Sequence, residues 1–195
     1  KNTEQYFKTY PYAIVHFKEK SLPVLLHNSI YYDTILELSD QELQSSIDRL
    51  EYTFMETIYL LQQEEKKKIA FIQGNGELDS VNTWDIRHTL SKFYEIEYFD
   101  LRSFELNAVT QLPDIDRQIE RINKYVSIII AKPTKPFLNI DKYILDQYIM
   151  NGGKILWCLD GTNANMNNFG NKAEFSLEKD SLLLDEYLSH YGAKI

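Results

Sequence analysis

The sequence contains a single cysteine, Cys158, among 195 residues, so no intrachain disulfide can form. This excludes a disulfide-dense scaffold, but it leaves an extracytoplasmic location open because many proteins there carry no bridge. Cys158 lies inside the apolar run "KILWCLD". We therefore expect it to be a small buried hydrophobic residue and not a nucleophile.

Long apolar runs and positive charge are also scarce. No stretch approaches the roughly 18 apolar residues that a membrane-spanning helix needs, and no signal peptide is visible. The net charge of -8 and the pI near 5.0 argue against binding to nucleic acid or to anionic lipid headgroups. The sequence begins at Lys1 without Met and ends at "YGAKI", where a further strand is expected to begin. We therefore expect a piece of a longer protein, with any membrane anchor outside it.

The residue patterns of familiar catalytic and metal sites are missing as well. The four histidines have neither H-x-x-x-H nor H-E-x-x-H spacing, so we predict no metal site. They are His16, His27, His88 and His190. There is no G-x-S-x-G elbow and no G-K-S/T phosphate loop. After the strand "VSIIIA", where some α/β enzymes place a nucleophile, the sequence "KPTKPF" offers only the hydroxyl of Thr134.

The first segment, 1–66, predicts two strands followed by a long helix. The strands cover 12–17 and 23–27 and are joined by the charged turn "KEKS". Ser39 and Glu42 form a capping box before a helix over 41–61. Apolar residues recur on one face of that helix. They are Leu43, Ile47, Leu50, Phe54, Ile58 and Leu61. Burial of this face against the chain's own sheet is favoured, and a partner surface is the alternative.

The second segment, 67–195, alternates strands and helices and is expected to be truncated at its C-terminal end. Apolar strands are predicted at 68–73, 95–101, 126–132 and 154–160. Four helices are predicted between and after them. The first starts after Asn82 or Thr83, and the others cover 114–124, 139–153 and 180–191. The residues expected to face the sheet are Ile86, Leu90, Phe93, Ile115, Ile119, Ile122, Tyr143, Ile144, Tyr148 and Ile149. This alternation predicts a three-layer α/β sandwich with a mainly parallel sheet.

The stretch "AFIQGNGELD" resembles the start of a nucleotide site, because a buried strand runs into a glycine-rich turn. Gly74 and Gly76 fill the first two places of G-x-G-x-x-G, and Asp100 stands where the ribose-binding acid would be. Asp79, however, takes the place of the third glycine, and Glu77 lies close by. Two carboxylates without a Lys or Arg in the loop would repel a pyrophosphate. We therefore predict a tight strand exit with positive φ and no bound nucleotide.

Polar residues follow each predicted strand, at the end where open parallel sheets bind ligands. This candidate rim consists of Asn75, Glu77, Asp79, Asp100, Lys132, Thr134, Lys135, Asp160 and Asn163. Ordinary surface loops and helix caps would give the same polarity, so this interpretation stands beside a ligand or partner site. No catalytic residue, metal or cofactor is predicted.

Three stretches carry a family resemblance: "KIAFIQGNGELD", "IIIAKPTKPFLNIDKYILDQYIMNGGKILWCLDGTNA" and "LLLDEYLSHYGAKI". They resemble the gliding-motility-associated ABC transporter auxiliary proteins, often labelled substrate-binding, and the broader class of uncharacterised ABC-type transport components. The resemblance is most specific over 68–79 and 128–164. The turn in that family more often reads Gly-His-Gly-Glu, so Asn75 stands where His is usual and any chemical role of that His would be missing here.

The resemblance implies an auxiliary domain on the periplasmic side of the inner membrane, anchored outside this sequence, beside an ABC permease and a separate ATPase. It also implies a flavodoxin-like sheet similar to that of class I glutamine amidotransferases, without their nucleophile. We therefore expect a non-catalytic domain that acts in protein interaction or ligand sensing. Two alternatives stay open. One is a hydrolase or transferase with Glu77 or Asp79 as base beside Lys132 or Lys135, and the other is a small-molecule or glycan-binding domain.

Overall fold

The computed structural model describes residues 12–26, 40–161 and 182–194. The chain divides into two compact units, Lys1–Glu65 and Lys66–Ile195. His27, Ser39 and Asn163, which figure in the sequence predictions, lie outside the described residues.

The first unit contains an antiparallel hairpin, as predicted. Strands β1 (Tyr12–Phe17) and β2 (Lys20–Leu25) pair so that Phe17 lies opposite Lys20. The connection is a two-residue turn that includes Lys18, whose φ of 53° is in the left-handed region. Such turns match the twist of the flanking strands. The turn is therefore shorter than the predicted "KEKS", because the second half of that sequence already belongs to β2.

The long helix of the first unit, α1, covers Asp40–Gln62 and confirms the predicted helix. The predicted apolar face is only partly buried. Leu61 is 3% exposed, whereas Leu43 and Ile47 are 46% and 50% exposed.

The second unit is built on a four-stranded parallel sheet. Its strands are β3 (Lys67–Gln73), β4 (Tyr94–Asp100), β5 (Ser127–Ala131) and β6 (Ile155–Cys158), in the spatial order β4-β3-β5-β6. Counted within this unit the order is 2-1-3-4, as in flavodoxin-like folds. The predicted α/β class with a parallel sheet and an N-terminal hairpin is therefore confirmed. The winding direction reverses between β3 and β5, so their carboxyl ends flank the switch point.

Helices cover both faces of this sheet. They are α2 (Trp84–Ser91), α3 (Ile115–Ile122), α4 (Asn139–Met150) and α5 (Asp185–His190). Alternate residues of a strand point to opposite faces. Ile72 and Ile130 accordingly belong to the main core together with Ile144, whereas Phe71 and Ile129 belong to a smaller cluster on the other face. Burial on both faces explains the nearly continuous apolar sequences of β3 and β5.

Strand β6 differs from the expectation of a strand covered on both faces. Ile155 and Trp157 pack against the main core, whereas Leu156 is 50% exposed and Cys158 is exposed. β6 is the last strand in the described sheet, and the smaller cluster that covers the other face reaches only β3, β4 and β5. The prediction that Cys158 is buried was therefore wrong, because within the described residues the smaller cluster does not extend over this face of β6.

The buried face of α4 is shifted from the predicted one. Asp141, Ile144, Leu145 and Tyr148 are buried, whereas Tyr143 is 50% exposed. Positions separated by three, four and seven residues share one helical face, and Asp141 completes that face. The apolar pattern alone pointed to Tyr143 because it did not anticipate a buried carboxylate.

Two further helix predictions need correction. Ile86 of α2 is 44% exposed, and α2 has no buried residue. Helix α5 begins at Asp185 and not at residue 180. Leu183 has a φ of 58°, which a continuous α-helix does not accommodate. The expected stop is present, since Gly192 follows α5 with a φ of 81°.

Candidate functional site

The glycine turn after β3 lies at the switch point. Gly74 and Gly76 have φ values of 123° and 74°, so the predicted positive φ is confirmed. A Cβ atom at Gly76 would lie 2.3 Å from Thr134 Oγ1, and one at Gly74 would lie 3.1 Å from Asp100 Oδ1. Glycine is required at position 76 because the neighbouring loop approaches the backbone this closely.

Backbone hydrogen bonds join this turn to the loop that follows β5. The Asn75 carbonyl oxygen accepts the N–H groups of Thr134 and Lys135, at 3.0 and 2.8 Å. The Leu78 N–H donates to the Ala131 carbonyl at 2.9 Å, and Thr134 Oγ1 donates to the Gly76 carbonyl at 3.1 Å. We call residues 74–78 and 131–136 the joined loops. They bond to each other at the place where an open parallel sheet ordinarily binds its ligand.

A buried polar cluster extends from the joined loops to α4. The side chains of Asn75 and Asp141 are both fully buried. Asp141 Oδ2 accepts hydrogen bonds from Asn75 Nδ2 at 3.3 Å, Arg102 Nη2 at 2.9 Å and the Leu138 N–H at 2.8 Å. The Pro136 carbonyl accepts from both Asn75 Nδ2 and Arg102 Nη2, at 3.1 and 2.9 Å. These bonds fix the ends of β3 and β4 and the start of α4 relative to one another.

Charge complementarity stabilises this cluster. Asp141 pairs with Arg102, whose side chain is 32% exposed, and it lies in the first turn of α4 where the helix dipole favours an anion. Four buried atoms of the cluster have no hydrogen-bond partner within the described residues: Asn75 Oδ1, Glu77 Oε1, Arg102 Nε and Asp141 Oδ1. Buried polar atoms of native proteins are normally satisfied by protein or by ordered water. The cluster therefore has hydrogen-bonding capacity left for small polar molecules.

The carboxylate of Glu77 stabilises the glycine turn by a hydrogen bond within the turn itself. Its Oε2 atom accepts the backbone N–H of Asn75 at 2.8 Å. Burial raises the pKa of this carboxyl above its ordinary value, although backbone hydrogen bonds and the nearby charge of Arg102 counteract part of the rise. The side chain thus combines a structural hydrogen bond with a destabilised negative charge.

The pH dependence of stability tests this assignment. Unfolded Glu77 titrates near 4.5 and the folded residue titrates higher, so its contribution to stability is complete below that pH and is lost as pH rises through the folded-state pKa. Glutamine keeps an acceptor for the Asn75 N–H without titrating. We therefore expect the stability of Glu77→Gln relative to wild type, measured by urea unfolding, to increase as the pH rises above 4.5.

The matched control is Glu120→Gln, which removes one negative charge from an exposed position on α3. If the relative stability of Glu77→Gln stayed constant with pH, or followed that of the control, burial would not destabilise the Glu77 charge.

Two further acidic residues of the predicted rim, Asp79 and Asp100, bind the backbone of their own loops. Asp79 Oδ1 accepts the N–H groups of Asn82 and Val81, at 2.9 and 3.1 Å, and the Asn82 backbone bond is the main cause of a lowered pKa at Asp79. Asp100 Oδ1 accepts the N–H of Arg102 at 2.8 Å. Both carboxylates are exposed and bond to backbone close in sequence, as loop and cap residues do.

The lysines of the predicted rim lie on the same loop. Lys132 Nζ is 2.8 Å from Asp160 Oδ2, and the two side chains are about half exposed. Lys135 contributes its backbone N–H to the joined loops, and it is exposed. Exposed ion pairs contribute little to stability, so the Lys132–Asp160 pair shapes the surface charge more than the fold.

Three residues that organise this region are not among the predicted site residues: Arg102, Gln118 and Asp141. Gln118 is 1% exposed and donates from Nε2 to the carbonyls of Asp100 and Leu101, at 2.9 and 3.1 Å. Asp141 had a usable signal, because an acidic residue at the third position of a helix often caps its first turn. Arg102 had none, since its partner Asp141 lies 39 residues away.

The strand order and the joined loops define an α/β domain of flavodoxin-like topology. A family model described as "ABC-type uncharacterized transport system" matches residues 66–195, which is more than half of the chain. The chain therefore belongs to this family of ABC transporter auxiliary proteins, and the resemblance seen in the sequence is confirmed at that level. Comparisons with curated proteins and with solved structures gave no match. Among the described residues, no helix has the length and apolar character needed to span a membrane.

Proposed function

We propose that this chain is a non-catalytic auxiliary domain that binds protein components of an ABC transporter complex. Family membership supports an association with a transport system. The joined loops support the proposal that the domain is not catalytic. The main-chain groups of Asn75, Gly76, Thr134 and Lys135 at the switch point are hydrogen-bonded across the two loops. A rigid, self-bonded edge suits docking, because little conformational freedom is lost when a partner binds.

The candidate rim supplies the polar part of this docking edge. Asp79, Asp100, Lys132, Lys135 and Asp160 are exposed and present charges of both signs. Mixed charge at an interface sets the orientation and specificity of association more than its strength. Asn75 and Glu77 do not belong to the exposed surface of that edge, and their hydrogen bonds stabilise the conformation of the turn beneath it. Asn163 stays a predicted member of the rim.

The finer assignment follows the family resemblance. We propose that the domain lies on the periplasmic side of the inner membrane, anchored by segments outside this sequence, and serves a transporter of the gliding-motility type with separate permease and ATPase subunits. The family match begins at residue 66, which supports assigning residues 1–66 to a neighbouring domain.

The contacts of Glu77 and Asp79 do not favour an enzyme with a carboxylate base. Glu77 accepts a bond from the backbone of Asn75, and Asp79 caps the turn before α2. Lys132 pairs with Asp160. We therefore propose docking in preference to acid–base catalysis.

Co-purification tests the proposed function. The full-length protein should purify in a complex with the permease and ATPase subunits of its transporter when the three are co-expressed and extracted in mild detergent. Its presence should also change the ATP hydrolysis rate of the permease–ATPase pair. The proposal would be wrong if the permease and ATPase assembled without it and their ATPase rate were the same in its presence and absence.

A further inference from the structure

The sequence contains two Asn–Gly pairs, Asn75–Gly76 and Asn151–Gly152. An asparagine followed by glycine is prone to deamidation, because glycine has no side chain that hinders its backbone nitrogen. That nitrogen gives up its proton to base and attacks the amide carbon of the asparagine side chain. A new C–N bond closes a succinimide ring, and ammonia leaves. Water then opens the ring to aspartate or isoaspartate. The reaction needs only water and base, so the fold decides which pair reacts.

The attack requires the asparagine to rotate about its Cα–C bond until its amide carbon lies over the nitrogen of the next residue. Asn151 has φ and ψ of -82° and 8°, close to the values of the helix that it ends. In a helical conformation the side chain points back toward the preceding turn, away from that nitrogen. Reaction in the folded protein therefore passes through a local opening of the chain, and its rate follows the free energy of that opening.

The joined loops and the buried cluster hold Asn75 against such a rotation. Its side chain is fully buried, and Nδ2 donates to the Pro136 carbonyl and to Asp141 Oδ2, at 3.1 and 3.3 Å. Its carbonyl accepts the N–H groups of Thr134 and Lys135. Rotation about the Cα–C bond would break the bonds of the carbonyl, and attack on the amide carbon would break those of Nδ2. Asn75 therefore reacts only after the loops have separated.

Asn151 lies at the exposed end of α4, where a helix opens most readily. The Gly152 N–H donates to the Ile149 carbonyl at 2.9 Å, and this bond has to break before the nitrogen reacts. Little packing is lost with it. Gly152 is exposed, with no atom of the described residues within 4 Å of an added Cβ, and Met150 is 73% exposed. The local opening should therefore cost much less free energy at Asn151 than at Asn75.

We propose that Asn151 is a deamidation site of the folded protein and that the joined loops protect Asn75 from the same reaction. The aspartate product would add a negative charge at the C-terminal end of α4, where the helix dipole disfavours an anion. The isoaspartate product would lengthen the backbone by one carbon, two residues before Gly153. The chain has no room at that glycine, since an added Cβ would lie 2.3 Å from Cζ of Tyr148. Both products would therefore weaken the junction between α4 and β6.

Peptide mapping by mass spectrometry tests the inference in the full-length protein. The folded protein is incubated in mildly alkaline buffer, and conversion of asparagine to aspartate or isoaspartate is followed at both pairs. Asn151 should convert at least about tenfold faster than Asn75, because its local opening is the less costly one. The same incubation in a denaturing concentration of urea is the control for the flanking sequence. There the two asparagines should convert at similar rates, since the fold no longer protects either of them.

Two variants assign the acidic product that ion-exchange chromatography separates. Asn151→Gln should reduce the amount of this product, because glutamine closes the equivalent ring far more slowly. Asn123→Gln is the matched control, since Asn123 ends α3 but precedes Lys124, and it should leave the amount unchanged. The inference would be wrong if Asn75 converted as fast as Asn151 in the folded protein. It would also be wrong if Asn151 stayed unconverted in the folded protein over the time in which half of it converts in urea.

Discussion

Asp141→Ala should lower the free energy of unfolding by about 3–4 kcal/mol, since it breaks a buried charged pair. The carboxylate is fully buried and accepts three hydrogen bonds, including one from the charged Arg102 and one from Asn75. Its removal leaves the Leu138 N–H without its acceptor, and it leaves the Asn75 and Arg102 side chains with only the Pro136 carbonyl from this cluster. Because the cluster fixes the start of α4 against the strand ends, the variant should also lose the order of the joined loops.

Urea unfolding monitored by circular dichroism measures this effect. Asp160→Ala is the matched control, because it removes an aspartate whose ion pair with Lys132 is exposed and should cost less than about 1 kcal/mol. Asp141→Asn removes the charge but keeps the shape of the side chain, so its free energy of unfolding should lie between those of wild type and Asp141→Ala. A loss for Asp141→Ala no larger than that of the control would contradict the role assigned to the buried cluster.

Gly76→Ala should destabilise the protein by about 2–4 kcal/mol, because two separate penalties act at this position. The backbone φ of 74° is unfavourable for any residue with a Cβ. The new Cβ would also lie 2.3 Å from Thr134 Oγ1, well inside van der Waals contact. Gly152→Ala is the matched control. Its φ is 89° with no atom within 4 Å of the added Cβ, so only the backbone penalty of about 1 kcal/mol should remain.

A double-mutant cycle separates the two penalties at position 76. Thr134→Ala removes the oxygen that the new methyl group would meet, although it also removes the hydrogen bond to the Gly76 carbonyl. In that background Gly76→Ala should cost close to what Gly152→Ala costs. If its cost were the same with and without the Thr134 hydroxyl, the close approach of the two loops would not be the reason for glycine at this position.

The strands were predictable from sequence because their apolar runs are local. β3 and β5 occur within two residues of the predicted bounds, and the parallel arrangement follows from the alternation with helices. The exposure of Cys158 was not predictable in the same way. An apolar run does not reveal whether its strand lies in the middle of a sheet or at its edge, because strand order depends on the whole chain.

The glycine turn illustrates the same limit within the candidate site. The sequence Gly-Asn-Gly predicts positive φ locally, but it does not reveal that Asn75 bonds to Asp141, which lies 66 residues away. The sequence around the turn likewise shows only the carboxylates of Glu77 and Asp79, whereas the folded chain brings the positive charge of Arg102 into the neighbouring cluster. The transport association came from the family resemblance and not from any pattern of charge or hydrophobicity.

Amide hydrogen exchange at the joined loops tests the central claim most directly, namely that the strand ends at the switch point are bonded to each other and form a fixed docking edge. The relevant N–H groups are those of Leu78, Thr134 and Lys135, each hydrogen-bonded across the two loops. We predict native-state protection close to that of the β5 amide Ile128. Exchange of all three at the rate of unstructured peptide would show that the loops separate freely, and it would contradict a fixed edge at this site.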